Sequence, residues 1–452
     1  MTDHSETARL PDDERPADVA RMIEDLPAAD GAAVLEDMPS DQAADVAEIL
    51  DPGTAADMFK EMDPREAAEI IGDMEAPEAS VVLGKMDPDD RVDVLEHVSD
   101  KVHDELIGQL EKAEAAETLN LERYDPATAG GLMTTQVTAL REGMTVAEAI
   151  NELRRRSRQN EQLFYSYVVD KRGHLIGVLS MRDLILAEET RAIVSVMIPN
   201  VRSLPAAMDQ EEVARLFKQT NFLAMPVVDD HHRLLGIVTV DDVIDVLEEE
   251  TTEDVQRMFG AGPEERLTSP WSYSFKTRIW WLVVNLATAF MAAAVVGVFE
   301  ETITQLAILA AYMPIVAGMG GNASAQAMAI AVRGLAVGRV DRALMRNVIR
   351  KEATVGLLTG LVIGTITFLI AFALHFSDRG LTENFALGGV VALALVVNHT
   401  LACASGAAIP FLMKRLGFDP AQSATIFATT VTDVAGFFVL LGLAWICMPY
   451  LK

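Results

Sequence analysis

Five apolar stretches, near Ile279 to Phe299, Thr304 to Val332, Thr354 to Phe376, Phe385 to Met413 and Thr425 to Pro449, occupy most of the chain beyond residue 270. Each is roughly 20 residues or longer, the length a helix needs to cross the hydrocarbon of a bilayer. Backbone polar groups in lipid must be satisfied within the segment itself, so each stretch is expected to be a membrane-spanning helix. Only one acid, Asp433, is read as lying well inside any of them. A carboxylate at that depth costs several kcal/mol unless it faces water, a cation or a partner, which makes Asp433 a functional candidate.

The charge of the chain divides at the same place. Residues 1 to 270 carry 25 Lys and Arg against 59 Asp and Glu, a net charge of -34, whereas residues 271 to 452 carry 12 against 8, or +4. An acidic body joined to a pore-like membrane part with one buried acid points to cation handling, and no nucleic-acid partner is expected. Arg333, Arg339, Arg342, Arg346, Arg350 and Lys351 fall between the second and third spans, and Lys414 and Arg415 between the fourth and fifth. Glu300 and Glu301, then Asp378, Arg379 and Glu383, occupy the other connections. The positive-inside rule therefore predicts a multi-pass protein of the cell (inner) membrane with its N-terminus cytoplasmic and Lys452 outside. Met1 to Asp13 is polar and acidic, without the apolar core of a signal peptide. Cys403 and Cys447 fall in apolar spans and read as small buried hydrophobes.

Thr425, Thr429 and Asp433 are spaced i, i+4, i+8, which lines two hydroxyls and a carboxylate along one helix face. Such an oxygen stripe suits a hard cation. The bland alternative is a Thr-rich helix whose hydroxyls bond their own backbone. Pro314, Gly318, Gly320, Gly321, Asn322, Ser324 and Gln326 in the second span, and Asn398, His399, Ser405, Gly406 and Pro410 in the fourth, can help line a path by baring carbonyls. Close packing through small residues explains them equally well, and His399 reads more readily as hydrogen-bonded structure than as a ligand.

The acidic half contains two repeats. Leu26, Met38, Leu50, Met62, Met74, Met86, Val98 and Leu110 recur every twelve positions, often followed by Pro or Asp-Pro, as at Asp51-Pro52, Asp63-Pro64 and Asp87-Pro88. An Asp that caps and a Pro in the first turn start a helix, so the period predicts a superhelix of short helices with the methionines in its core. Tyr167-Val168-Val169-Asp170 with the segment Leu175 to Asp183, and Pro226-Val227-Val228-Asp229 with Leu234 to Asp242, form a second duplication offset by 59 residues. Each copy reads as strand, turn, strand and helix. Gly177, Ser180 and Asp183, then Gly236, Thr239 and Asp242, repeat the pattern G-h-h-[ST]-x-x-[DE].

That duplicated pattern resembles a tandem pair of CBS domains. In that family the hydroxyl and acid hold an adenine nucleotide, so Ser180, Asp183, Thr239 and Asp242 are candidate nucleotide contacts; helix capping by the same residues is the simpler reading. Arg154, Arg155, Arg156 and Arg158 offer phosphate contacts or a solvated basic face.

The order of the parts, an acidic superhelix, a CBS pair, an acidic helix from Asp241 and five spans with a basic inner side, resembles the MgtE family of magnesium channels. The resemblance extends from Leu26 to Pro449 and includes Gly320-Gly321-Asn322, Gly406-Ala407-Ala408-Ile409-Pro410 and Asp419-Pro420-Ala421 leading to Asp433. It implies a multi-domain membrane protein: a tail over 1–25 expected to be disordered, an all-α superhelical domain over 26–129, an α/β CBS pair over 130–247, a connecting plug helix over 248–270 and a five-helix transmembrane domain over 271–452. It also implies a homodimer in the lipid bilayer, with the acid matching Asp433 from each subunit holding hydrated Mg²⁺ and Thr429 facing the pore. Thr425-Ile426 and Ala323-Ser324-Ala325-Gln326 depart from the family pattern.

Mg²⁺ sheds water reluctantly, so a few carboxylates facing a hydrated ion suit it better than an all-protein cage. Asp89, Asp90 and Asp93, then Asp209 and Glu211, then Asp242, Asp245, Glu250, Glu253 and Asp254 are candidate regulatory metal ligands. The expectation is that Mg²⁺ is both substrate and regulator, drawing acidic faces together at high cytosolic concentration. An adenine nucleotide such as ATP is a second candidate ligand. No P-loop or EF-hand pattern occurs, and the chain is not expected to be an enzyme. The alternative is a secondary transporter exchanging Mg²⁺ or Co²⁺ for H⁺ or Na⁺. A lone Asp433 speaks against an intramembrane aspartyl protease, which needs two carboxylates sharing a proton, unless a dimer supplies the second.

Overall fold

The computed structural model describes residues 15–156, 165–263, 265–267, 269–336, 342–374, 380–422 and 424–451. Arg158, Arg339, Asp378, Arg379 and Lys452, named above, lie outside them. The chain divides into two compact units, Met1–Leu247 and Glu248–Lys452.

In the first unit, the twelve-residue period becomes a run of short helices: α1 (Pro16–Ile23), α2 (Ala28–Glu36), α3 (Ser40–Ala47), α4 (Pro52–Lys60), α5 (Pro64–Asp73), α6 (Ala76–Leu83), α7 (Pro88–Leu95), α8 (Asp100–Gln109) and α9 (Lys112–Leu121). Asp51 accepts hydrogen bonds from the Gly53 and Thr54 amides, and Asp63 from Arg65, capping α4 and α5 where the following proline leaves no amide to bond. Helices of 8 to 10 residues are too short to stand alone. Each therefore packs on the helix two places further along, from α1 on α3 to α7 on α9. Leu50, Met62, Met74, Met86 and Leu110 are buried, while Leu26 at the start of the period is 39% exposed. One boundary needs correction. Pro16–Ile23 is not a disordered tail: Val19, Ala20 and Ile23 are buried, because α1 covers the apolar edge that α3 would otherwise expose.

The second duplication folds as two small sheets. The first has the order β1-β2-β3-β4, from β1 (Ala139–Arg141), β2 (Tyr165–Val169), β3 (Leu175–Ser180) and β4 (Ile198–Pro199). The second has the order β5-β6-β7, from β5 (Leu204–Pro205), β6 (Ala224–Val228) and β7 (Leu234–Thr239). Helices α10 (Val146–Arg156), α11 (Met181–Leu186) and α12 (Gln210–Thr220) accompany the strands. In both copies the antiparallel pair carries a bulge at the same place, Val168/Val169 and Val227/Val228, as a duplicated sequence requires. Gly236 has no substitute: a Cβ there would stand 2.3 Å from the Thr134 carbonyl oxygen.

Helix α13 (Val240–Met258) begins in the first unit and ends in the second. Among the described residues the second unit contains five helices long and apolar enough to cross a membrane: α14 (Trp271–Val298), α16 (Leu309–Ala336), α17 (Arg342–Leu374), α18 (Leu381–Leu416) and α19 (Ala424–Ile446). Short helices α15 (Glu300–Gln305) and α20 (Met448–Leu451) flank them, so the second span starts at Leu309, later than Thr304. Helix α18 is the centre of the bundle, packed by α16, α17 and α19, whereas α14 contacts mainly α19 and exposes most of its apolar surface.

Candidate functional site

The C-terminal ends of α16 and α18 and the N-terminal end of α19 receive the end of α13. Met258 packs against Met328, Val332, Ala421, Ala424 and Ala428. Its carbonyl accepts a hydrogen bond from the Thr425 hydroxyl at 2.5 Å. One residue earlier, Arg257 Nη1 lies 2.6 Å from Asp419 Oδ2 and Nη2 pairs with Glu253. A left-handed Gly260 (φ +78°) then breaks the helix. Arg278 of α14 grips Glu265 through two nitrogens, Nε at 3.1 Å from Oε2 and Nη2 on Oε1, and these bonds hold the Glu265 carboxyl below its ordinary range. Four contacts thus tie the linker and the α13 terminus to the membrane helices.

The oxygen stripe is rearranged by these contacts. Thr425 is turned to the α13 carbonyl, and Thr429 donates back to the Thr425 and Ile426 carbonyls of its own helix. In an apolar helix, a hydroxyl proton with no water finds the preceding turn, so both expected cation-facing threonines serve as backbone donors. Their oxygens retain lone pairs. Asp433 differs: it is half-buried in α19, and among the described residues nothing donates to its carboxylate.

Above it, α16, α18 and α19 come close through small residues. Asn398, fully buried, donates to the Val316 carbonyl at 2.8 Å, and its amide occupies the space where a Cβ at Gly320 would sit, 2.4 Å away. The Asn398 Oδ1 and Ser324 Oγ atoms are buried without a hydrogen bond. The Gly- and Pro-containing stretches do not open: Pro314 and Pro410 lie inside continuous helices, and a Cβ at Gly406 would meet the Ser324 carbonyl at 2.2 Å. Close packing is what Gly320 and Gly406 accomplish here, whereas a Cβ at Gly318 would meet nothing within 4 Å. His399 bonds its own Leu395 carbonyl, and Cys403 and Cys447 are free thiols.

Sequence reasoning missed one acid. Glu352, in α17, is 3% exposed, with Lys351 Nζ 3.1 Å from its Oε1. Helix α17 starts more than three turns before its apolar run, so a residue that reads as a loop flank lies inside the bundle. The signal available was an acid two residues ahead of the predicted span.

A second concentration of charge sits in the first unit. Asp87, Asp89 and Asp90 at the start of α7 and Asp241 and Asp242 at the start of α13 lie within electrostatic reach of one another and of Lys60. Burial, with the neighbouring carboxylates Asp90, Asp242 and Asp87, pushes Asp89 well above its ordinary range. Burial also pushes Asp90 up to about 7, against the opposing pull of Lys60. Asp242 is raised by burial although Thr239 donates to it. No three carboxylate, His or Cys side chains converge to metal-ligand geometry among the described residues. The expected metal residues are therefore only partly gathered: Asp89, Asp90 and Asp242 come together, whereas Asp209 caps α12 through the Glu211 amide and Glu253 is taken by Arg257. Asp93 lies on α7, and Asp245, Glu250 and Asp254 lie along α13.

The first nucleotide signature forms a capping box. Ser180 Oγ lies 2.6 Å from Asp183 Oδ2 and accepts from the Asp183 amide, while Asp183 accepts from the Ser180 amide. Thr239, which is buried, donates both its amide and its hydroxyl to the Asp242 carboxylate. Capping is thus the role the hydrogen bonds give Ser180 and Asp183, and Ser180, Asp183 and Asp242 are each partly open to solvent.

Comparison with known proteins returns matches for each part. A family model described as a divalent cation transporter matches residues 313–443, an MgtE intracellular N domain matches 26–127, and the CBS domain matches 129–189 and 193–249. The magnesium transporter MgtE of Thermus thermophilus is 40% identical over 331 residues, covering 73% of this chain and 72% of the relative. Its Bacillus subtilis counterpart is 31% identical over 360 residues, 80% of this chain and 78% of the relative. The crystal structure of the cytosolic domain of the Mg²⁺ channel MgtE in complex with ATP is 38% identical and covers 50% of this chain and 93% of that one, with a TM-score of 0.48.

Proposed function

The chain belongs to the MgtE family of magnesium transporters, and from that premise we propose that it is a Mg²⁺ channel whose ion site is built on Asp433. The observation that carries this reading is the Asp433 carboxylate, which no described residue of the chain bonds, on a helix long enough to span the bilayer. Leaving a carboxylate unpaired at that depth is costly, so a hydrated cation and a second copy of the chain are its natural partners. Two copies supply two carboxylates, enough to hold Mg²⁺ through its retained waters. Asn398 and the glycine contacts fix α19 against α16 and α18, and thereby fix where that carboxylate stands.

With residues 1 to 270 cytoplasmic, a cytoplasm-negative potential drives entry. Each charge contributes about 2.3 kcal/mol per 100 mV, doubled for a divalent ion, so no chemical step is required and the protein is a conduit, not an enzyme. The α13 terminus, held by Thr425, Arg257 and Met258, closes the inner mouth. Asp89, Asp90 and Asp242 form the regulatory face: hard carboxylate oxygens, one of them the buried and unbonded Asp89 Oδ1, suit Mg²⁺. Cytosolic Mg²⁺ there lowers the repulsion between α7 and the start of α13 and favours closure. The half-open Ser180 and Asp183 pair is the place an adenine nucleotide would touch.

The deciding experiment is Mg²⁺ uptake by a magnesium-requiring host carrying Asp433→Ala. Near-complete loss with normal expression and helix content is expected. Full uptake would remove Asp433 from the mechanism.

A further inference from the structure

We propose that Lys60 is the resident counter-cation of the acidic cluster on α7 and α13, and that it sets how strongly the cytosolic unit depends on divalent cations. The proposal rests on the regulatory reading above and adds to it a residue outside the acidic set. Lys60 ends α4, 27 residues before Asp87, and its Nζ lies 3.4 Å from Asp87 Oδ2 and 3.7 Å from Asp90 Oδ2.

Two features mark this as more than a chance surface pair. Asp51, Asp63 and Asp87 occupy the same N-cap position in successive Asp-Pro repeats; Asp51 and Asp63 cap their helices through the side chain, whereas Asp87 makes no such bond and pairs with Lys60. Capping at that position is the default for Asp, so the ammonium has diverted the carboxylate. Beside it, Asp89 is 8% exposed with Oδ1 unbonded, and Asp90 Oδ2 has only the long ion pair. Burial alone would lower the Lys60 ammonium, yet Asp90, Asp87 and Asp89 outweigh it and hold it above its ordinary value. It is charged at every physiological pH.

Lys60, with the buried Arg91 reaching Asp87 and Asp89 while itself paired to Glu117, stands against Asp87, Asp89, Asp90, Asp241 and Asp242, and the cluster stays under-neutralised. Lysine is a hydrated point charge on a flexible stem, and its contacts here are longer than the 2.7–2.9 Å or so of a close charged hydrogen bond. It therefore screens the repulsion between α7 and α13 without saturating it. Two consequences follow from its sign: the closed arrangement keeps some stability when divalent ions are absent, and an arriving Mg²⁺ meets a like charge at the rim.

Limited proteolysis of the full-length protein in lipid nanodiscs tests this, comparing wild type, Lys60→Met and Lys60→Arg in EDTA and across a MgCl₂ titration. In EDTA the cytosolic half of Lys60→Met is expected to be cleaved about two- to fivefold faster than wild type, the range a partly exposed ion pair commands. Lys60→Arg should match wild type, and all three should converge at saturating Mg²⁺. The proposal is overturned if Lys60→Met matches wild type in EDTA, if Lys60→Arg behaves like Lys60→Met, or if Lys60→Met stays unprotected at saturating Mg²⁺ while wild type is protected. Should Mg²⁺ protect none of the three, the regulatory reading of the cluster fails, and the EDTA comparison still judges Lys60.

Discussion

Thr425 shows how a single side chain changes meaning once its neighbours are known. On the sequence it heads an oxygen stripe; in the fold its proton goes to the Met258 carbonyl. The expected outcome of Thr425→Val is a looser α13 terminus and raised Mg²⁺ flux into vesicles preloaded with Mg²⁺, with Asp433 still in place. Arg257→Ala should act in the same direction by breaking the pair with Asp419. That pair is partly exposed, so its loss is worth about 1 kcal/mol or less, a few-fold in flux. Flux unchanged in both variants would mean the α13 terminus does not hold the mouth shut. That Asp433 lies within an apolar span was readable from hydropathy alone. Glu352 was not, because a helix can run past the apolar stretch that announces it.

Helix α7 carries the clearest consequences at the level of elements. Its Asp90 carboxyl is pushed up to about 7 from an ordinary 3.8, so between those values the folded unit holds a proton that the unfolded chain has lost. Stability from that proton is complete below about pH 4 and disappears as pH rises through 7. Amide exchange in α7, corrected for its intrinsic rate, should therefore be slower at pH 6 than at pH 8 in EDTA. Added Mg²⁺ should narrow the difference; equal protection at both pH values would refute the linkage. Helix α5 offers a plainer test: Asp63→Ala removes the cap on Arg65 and should cost about 1 kcal/mol, read as a lower melting temperature of the cytosolic half. The repeat that builds these helices was visible as a twelve-residue period, since Pro and Asp act locally. That α1 extends the superhelix to Pro16 was not, because Val19 and Ile23 gain their burial only against α3.

For the whole protein, Mg²⁺ protection of the cytosolic half against protease is expected at millimolar concentration, and unchanged cleavage would remove the switch. Purified protein in planar bilayers should show unitary Mg²⁺ currents. Uptake that requires a counter-gradient of H⁺ or Na⁺ and never gives single-channel steps would favour the exchanger instead. Hydropathy, charge asymmetry and two internal repeats were enough to specify an acidic superhelix, a duplicated α/β pair and five spans, because periodicity and apolar length act through nearest neighbours along the chain. Which polar atoms remain unbonded was beyond their reach. Asn398 meets Val316 across 82 positions and Thr425 meets Met258 across 167, and only packing in three dimensions decides whether a hydroxyl faces an ion path or another helix's carbonyl.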